Sequence, residues 1–82
     1  MSLKAYILIN TRIGKTADVV DMLKQMPEVT HLDVIMGPYD IIAQVETESH
    51  DSLSKMVMKK LQTIDAIQHT MTCTVVSMDD IV

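Results

Sequence analysis

Within five residues, Met36-Gly37-Pro38-Tyr39-Asp40 gathers the parts that hold an amino acid: turn N–H groups, an aromatic wall and a carboxylate. Freed N–H groups in a turn form a concave nest that accepts a carboxylate. Asp40 offers a charge-assisted acceptor for an ammonium group, while Tyr39 walls one side and adds a hydroxyl. Pro38 removes one N–H from that nest. The same residues suit a plain tight hairpin, with Gly37 for permissive dihedrals, Pro38 to pre-set φ and Asp40 to bond the local backbone. The two roles are compatible, because a pre-organised site needs a rigid turn. A second candidate is Thr70-Met71-Thr72-Cys73-Thr74, where alternation puts three hydroxyls on one strand face. β-propensity accounts for threonines in a strand. What keeps Thr70 and Thr72 as candidates is the expectation that they share a sheet face with Asp40.

Other chemistry finds little footing. His31, His50 and His69 lack ligand spacing, so no metal site is expected. The lone Cys73 excludes an internal disulfide and any CxxC motif; with no activating base beside it, it reads as a small buried hydrophobe. No Ser/His/Asp pattern, P-loop or GxGxxG occurs, so no cofactor and no catalytic residue is expected. Asp79-Asp80 sit in a tail, a poor setting for paired acid–base work. Seven Lys and Arg against eleven Asp and Glu give a net charge of −4, and only Lys59-Lys60 form a basic pair. Phosphate backbones need a concentrated basic face, which argues against direct nucleic-acid binding. With no Phe, no Trp and two Tyr, the stacking platform of single-strand binders is missing too. No apolar run reaches the roughly 18–20 residues of a membrane span, and Met1 to Lys4 do not resemble a signal peptide, so a cytoplasmic location is expected.

The elements that must hold the turn are legible from periodicity. Ala5 to Thr11 reads as a strand that stops at Gly14. Thr16 to Met26 puts Val19, Val20, Met22, Leu23 and Met26 on one helical stripe, with Thr16 as N-cap and Pro27 as stop. Val29 to Met36 and Asp40 to Glu46 alternate as strands on either side of the turn. Ser49 caps a second helix whose Leu53, Met56, Val57, Leu61 and Ile64 share a face. Ile67 to Val76 is the last strand, and Ser77 to Val82 reads as a loose tail. The order βαββαβ predicts one α+β domain over residues 1–82. It is the ferredoxin-like arrangement, a four-stranded antiparallel sheet with both helices on one face.

Alternation then sorts the two sheet faces. Ala5, Ile7, Ile9, Leu32, Val34, Met36, Ile41, Ala43, Val45, Met71, Cys73 and Val75 are expected under the helices, with His69 on that side near a strand end. Tyr6, Leu8, Asn10, His31, Asp33, Ile35, Asp40, Ile42, Gln44, Thr70, Thr72 and Thr74 are expected on the open face. A β-bulge in any strand would exchange these faces locally. The eight methionines are expected to fill the core. The semi-polar open face suits burial against a second copy. A chain this size buries only about 60 % of its unfolded surface, and association is the outlet for its 48 % hydrophobic residues.

Three segments carry a family resemblance: Ala5-Tyr6-Ile7-Leu8-Ile9, then Met36-Gly37-Pro38-Tyr39-Asp40-Ile41, then Leu61 through Thr72. Ala5 to Val76 resembles the effector-binding (RAM) domain of the leucine-responsive/asparagine-responsive regulators, Lrp/AsnC. The resemblance implies a βαββαβ fold that dimerises through its sheet into a dimeric α/β barrel, and dimers that often assemble into octamers. It also implies an amino-acid effector near the β2–β3 turn, commonly where dimers meet. Carried over, Gly37 and Tyr39 would make backbone and wall contacts, Asp40 would take the ammonium, and Thr70 and Thr72 would line the pocket. Full family members carry an N-terminal helix-turn-helix domain. This sequence has none and reads as the stand-alone form, so a role in transcription would be indirect, through co-assembly with a full-length Lrp/AsnC regulator. The expected function is a non-enzymatic amino-acid-binding domain that senses its effector through oligomer assembly. The alternative is a small ferredoxin-like dimeric enzyme, an oxygenase or isomerase type, for which His31 and Asp33 on the open face are the nearby candidates.

Overall fold

The computed structural model describes residues 2–76. The aliphatic run Leu3–Thr11 forms β1, Val29–Val34 forms β2, Ile41–Thr47 forms β3 and Ile67–Thr74 forms β4. All neighbouring strands are antiparallel, in the order β2-β3-β1-β4. β1 and β3 are therefore the central strands, and they carry the buried stripe: Ala5 opposite Val45, Ile7 opposite Ala43, Ile9 opposite Ile41. Helix α1 (Thr16–Lys24) adds Val19 and Leu23 to this core, and α2 (His50–Met56) adds Leu53 and Met56. Both helices cover the same face, so the fold is the ferredoxin-like βαββαβ arrangement. No helix among the described residues is long and apolar enough to cross a membrane.

Local chemistry explains the element ends. Gly14 turns the chain into α1 with φ +79°, the left-handed region that a side chain resists. Lys15, not Thr16, occupies the N-cap; Thr16 is the first helical residue, and its hydroxyl is drawn instead to Thr11. The helix ends at Lys24, short of the expected Met26, and Pro27 follows. Ser49 caps α2 as expected, its Oγ accepting the Ser52 N–H at 3.1 Å. Beyond Met56 the helix widens into a π-turn over Val57–Leu61. The wider turn returns Leu61, five residues after Met56, to the buried stripe.

One irregularity overturns part of the face assignment. On β1, Asn10 and Thr11 are consecutive; on β4 their partners are His69 and Ile67, so Gln68 is an extra residue. This β-bulge reverses the alternation after Ile67. Ile67 packs against the core as expected. Past the bulge, Thr70, Thr72 and Thr74 stand opposite Ile9, Ile7 and Ala5 and lie on the helix side, not the open face. His69, Met71 and Cys73 stand opposite Asn10, Leu8 and Tyr6 and lie on the open face, not under the helices. Cys73 is exposed rather than buried. The methionines also depart from expectation: Met56 is buried and Met26 packs on the core, but Met22, Met36, Met58 and Met71 are exposed. The expected tail, with Met78 and Asp79-Asp80, lies outside the described residues.

Candidate functional site

The β2–β3 connection is wider than a tight hairpin. Its closing backbone bond runs from the Ile35 N–H to the Asp40 carbonyl, 2.8 Å, leaving Met36 to Tyr39 as an open loop. Gly37 has no left-handed φ, and a Cβ built there would meet nothing within 4 Å. Its lack of a side chain therefore answers no need of the single chain.

What holds the loop is the end of β1. Asn10 Nδ2 donates to the Pro38 carbonyl at 2.8 Å, and the Asp40 N–H donates to the Ile9 carbonyl at 2.9 Å. Asp40 Oδ2 accepts the Thr11 N–H at 2.8 Å, with the Thr11 hydroxyl at 3.4 Å. That hydroxyl lies 2.7 Å from the Thr16 hydroxyl, so the buried Thr11 links the loop to the first turn of α1. Asp40 is thus first a structural acceptor: one oxygen pins β1, and only Oδ1 is left for a ligand. The anchors Asn10, Thr11 and Thr16 escaped notice as a set, although a polar Asn-Thr pair closing an apolar strand was their visible signal.

Tyr39 leans across the sheet, its hydroxyl 3.8 Å from Met71 Sδ on the open face. Thr70 and Thr72 lie on the other side. Thr70 lines a groove of about 320 Å³ with Gln62, Ile67, Gln68 and His69. Thr72 lines one of about 190 Å³ with Leu53, Ser54, Val57 and Met58. A larger groove, about 640 Å³, runs between α1 and the segment before β4 and contains none of the five candidates. Within one chain, then, Tyr39 leans over the open face, the threonines lie on the helix side, and neither groove lined by a threonine includes Gly37, Tyr39 or Asp40.

Charge near the loop is already committed. Arg12 donates from Nε to the Asp65 carbonyl at 2.7 Å and faces the Asp65 carboxylate at 3.9 Å. His31 and Asp33 meet at 3.1 Å on the open face of the edge strand β2, both well exposed, not deep in a cleft. Away from the loop, Lys60 binds both Glu28 oxygens at 2.9 and 2.7 Å, and this hydrogen bond holds the Glu28 carboxyl below its ordinary range. Among the described residues no group of three His, Cys, Asp or Glu side chains could hold a metal ion.

An antiparallel β2-β3-β1-β4 sheet covered on one face, with an anchored loop at its end, defines a small α+β domain of the ferredoxin-like class. The chain belongs to the Lrp/AsnC ligand-binding domain family, whose sequence model matches residues 4–78. It is 34 % identical over 68 residues to an uncharacterised helix-turn-helix-type transcriptional regulator of Pyrococcus abyssi, covering 83 % of this chain and 43 % of that protein. The crystal structure of FFRP-DM1 superposes with a TM-score of 0.88 at 35 % identity, covering 90 % of this chain and 99 % of that one. Escherichia coli AsnC superposes with a TM-score of 0.87 at 30 % identity, covering 92 % of this chain and 51 % of AsnC. The chain thus spans less than half the length of the Pyrococcus abyssi regulator and about half of AsnC.

Proposed function

We propose that this chain is a non-enzymatic regulatory domain that binds an amino acid at a site shared between copies and thereby favours one assembly over another. The observation that carries this reading is that neither groove lined by Thr70 or Thr72 includes a residue of the Met36–Asp40 loop. One copy offers an anchored loop with the free Oδ1 of Asp40 and an unobstructed Gly37; the threonine face of another offers hydroxyls and two grooves. A site divided in this way is complete only in an oligomer, so occupancy and assembly are linked by mass action. The open sheet face, with Tyr6, Leu8, Ile42 and Met71 among polar side chains, is the surface for dimerisation. Family membership supports an effector as ligand. Relatives named as regulators support action on transcription, exerted by co-assembly with a full-length regulator. The exposed edge position of His31 and Asp33 gives the enzyme alternative no enclosed site.

The test is thermal unfolding with each of the twenty amino acids, followed by sedimentation with the responsive ones. A ligand at 100 times its Kd adds about 2.7 kcal/mol. Gly37→Val and Thr72→Val, both changes at exposed positions, are each expected to abolish the shift. Co-refolding the two variants then restores it at about one site in four, by random mixing of chains in a symmetric oligomer. No shift with any amino acid refutes the ligand class, and no recovery in the mixture refutes a site shared between copies.

A further inference from the structure

Helix α1 turns Asp18, Asp21 and Met22 toward a groove whose far wall is the segment 63–66, which leads into β4. The groove holds about 640 Å³, within the roughly 300–1,000 Å³ of built binding sites. Its apolar lining is Met22, Ile64 and Ala66; Met22 is 43 % exposed, while Ile64 and Ala66 pack half-buried against the core. The far wall is held in place. The Arg12 N–H donates to the Ala66 carbonyl at 2.8 Å, Arg12 Nε to the Asp65 carbonyl at 2.7 Å, and the Ile67 N–H to the Ile64 carbonyl at 3.0 Å.

Acid rims this apolar floor, with Asp18 and Asp21 on the α1 side and Asp65 on the other. The neighbouring cations engage it loosely. Lys15 stands 3.9 Å from Asp18 and Arg12 stands 3.9 Å from Asp65, and all four side chains are more than half exposed, a setting in which ion pairs contribute little. Asp21 makes no ion pair among the described residues, so its charge is the one in excess.

These features narrow the occupant. An acidic rim repels phosphate, which excludes nucleic acid and an anionic lipid surface. A small hydrated cation gains nothing from Met22 and Ile64. The groove runs between a helix and a turn rather than along a sheet edge, so strand addition is not available and side chains must be read. Nine residues of α1 extend about 13.5 Å, which lets a helix laid alongside make contact over two turns.

We propose that this groove docks a basic amphipathic helix of a partner protein. Its aliphatic side chains lie on Met22, Ile64 and Ala66, and its Lys or Arg side chains reach Asp18, Asp21 and Asp65. Docking there is independent of the amino-acid site and leaves the open sheet face free for a second copy.

Fluorescence anisotropy of the whole chain with a labelled synthetic helix of about fourteen residues, leucines on one face and lysines on the other, tests this. Control peptides replace the lysines with glutamate or the leucines with serine, and spermidine supplies a cation outside any peptide. The leucine–lysine peptide is expected to bind, each control at least about tenfold more weakly, with affinity falling as salt rises. Asp21→Lys and Met22→Ser, at exposed positions of α1, are each expected to weaken binding at least about fivefold while leaving the unfolding midpoint in place. Glu48→Lys makes the same change of charge outside the groove and is expected to leave binding unchanged. Equal losses in Asp21→Lys and Glu48→Lys overturn the site, leaving attraction to net charge alone. Serine-peptide or spermidine binding as tight as that of the leucine–lysine peptide overturns the amphipathic partner in favour of a plain cation. Equal binding of the glutamate peptide overturns the charge complementarity, and no binding of the leucine–lysine peptide overturns the whole proposal. If Met22→Ser fails to fold, Met22→Gln supplies the same comparison on a better helix former.

Discussion

Replacing Asp40 with alanine tests whether that carboxylate is a ligand group alone or a structural pin. In the ligand-free chain Oδ2 accepts the Thr11 N–H at 2.8 Å, and Thr11 is buried. Alanine removes the acceptor and leaves a largely desolvated N–H without a partner. A hydrogen bond to a charged group contributes about 1.5–3 kcal/mol, and the orphaned donor adds its own desolvation cost. In a domain of this size each kcal/mol moves Tm by roughly 4–8 °C. Asp40→Ala is therefore expected to lower the ligand-free midpoint by at least about 6 °C, at fixed protein concentration because assembly contributes to Tm. Asp40→Asn keeps an oxygen at the same place and is expected to lose less than half as much. The assay is thermal unfolding followed by circular dichroism, with no amino acid added. A midpoint for Asp40→Ala within 1 °C of the parent would refute the pin, a limit set at roughly a quarter of the shift that even 1 kcal/mol produces. The result also bears on ligand studies, since loss of binding in Asp40→Ala would mix a lost contact with a loosened loop.

Gly37→Ala is expected to leave the ligand-free chain as stable as before, or to stabilise it by about 0.4–1 kcal/mol through the unfolded state, as read by the same melt. Glu28 gives a pH dependence of known sign. Its folded pKa is lowered, chiefly by the Lys60 hydrogen bond, so its contribution is present above the ordinary value of 4.5 and lost as pH falls through the folded value. Lys60 is partly exposed, which limits the pair to about 1 kcal/mol or less; Lys60→Met should flatten the parent's loss of Tm between pH 6 and about pH 3 without abolishing folding. Tyr6→Lys, between Gln44 and Cys73 on the open face, is expected to yield monomers in sedimentation at concentrations where the parent associates.

The element order, the central β1–β3 stripe and the Ser49 cap could be read from the sequence because each rests on a short-range signal: alternation, helical spacing, or a hydroxyl before an apolar run. Family membership was legible for the same reason, since the turn and the threonine pair stand at fixed places in that order. The side of the sheet on which the threonines fall was not legible. Ile67, Met71, Cys73 and Val75 continue an apolar alternation that masks the extra residue at Gln68, and a bulge is defined by its partner strand rather than by its own composition. Asp40 illustrates a second limit. Its identity suggested an ammonium partner, while its actual bond is to an N–H 29 positions away. The π-turn and the Lys60–Glu28 pair likewise depend on tertiary packing, the latter across 32 positions.

The bulge at Gln68 means that the placement of three hydroxyls depends on how β4 pairs with β1, not on which residues β4 contains. Deleting Gln68 would leave Ile67 opposite Thr11 and His69 opposite Asn10, a regular ladder with the threonines still on the helix side; pairing Gln68 itself with Asn10 would instead turn Thr70, Thr72 and Thr74 to the side now held by Met71 and Cys73. A one-residue slip in pairing, with no change of sequence, would therefore exchange what two surfaces of this small domain present. Two relatives with the same threonines, one bulged before them and one regular, would look alike in composition and differ in where they meet their ligands and their partners. The pairing of β4 with β1 is accordingly a better guide than threonine count for deciding which relatives share this site.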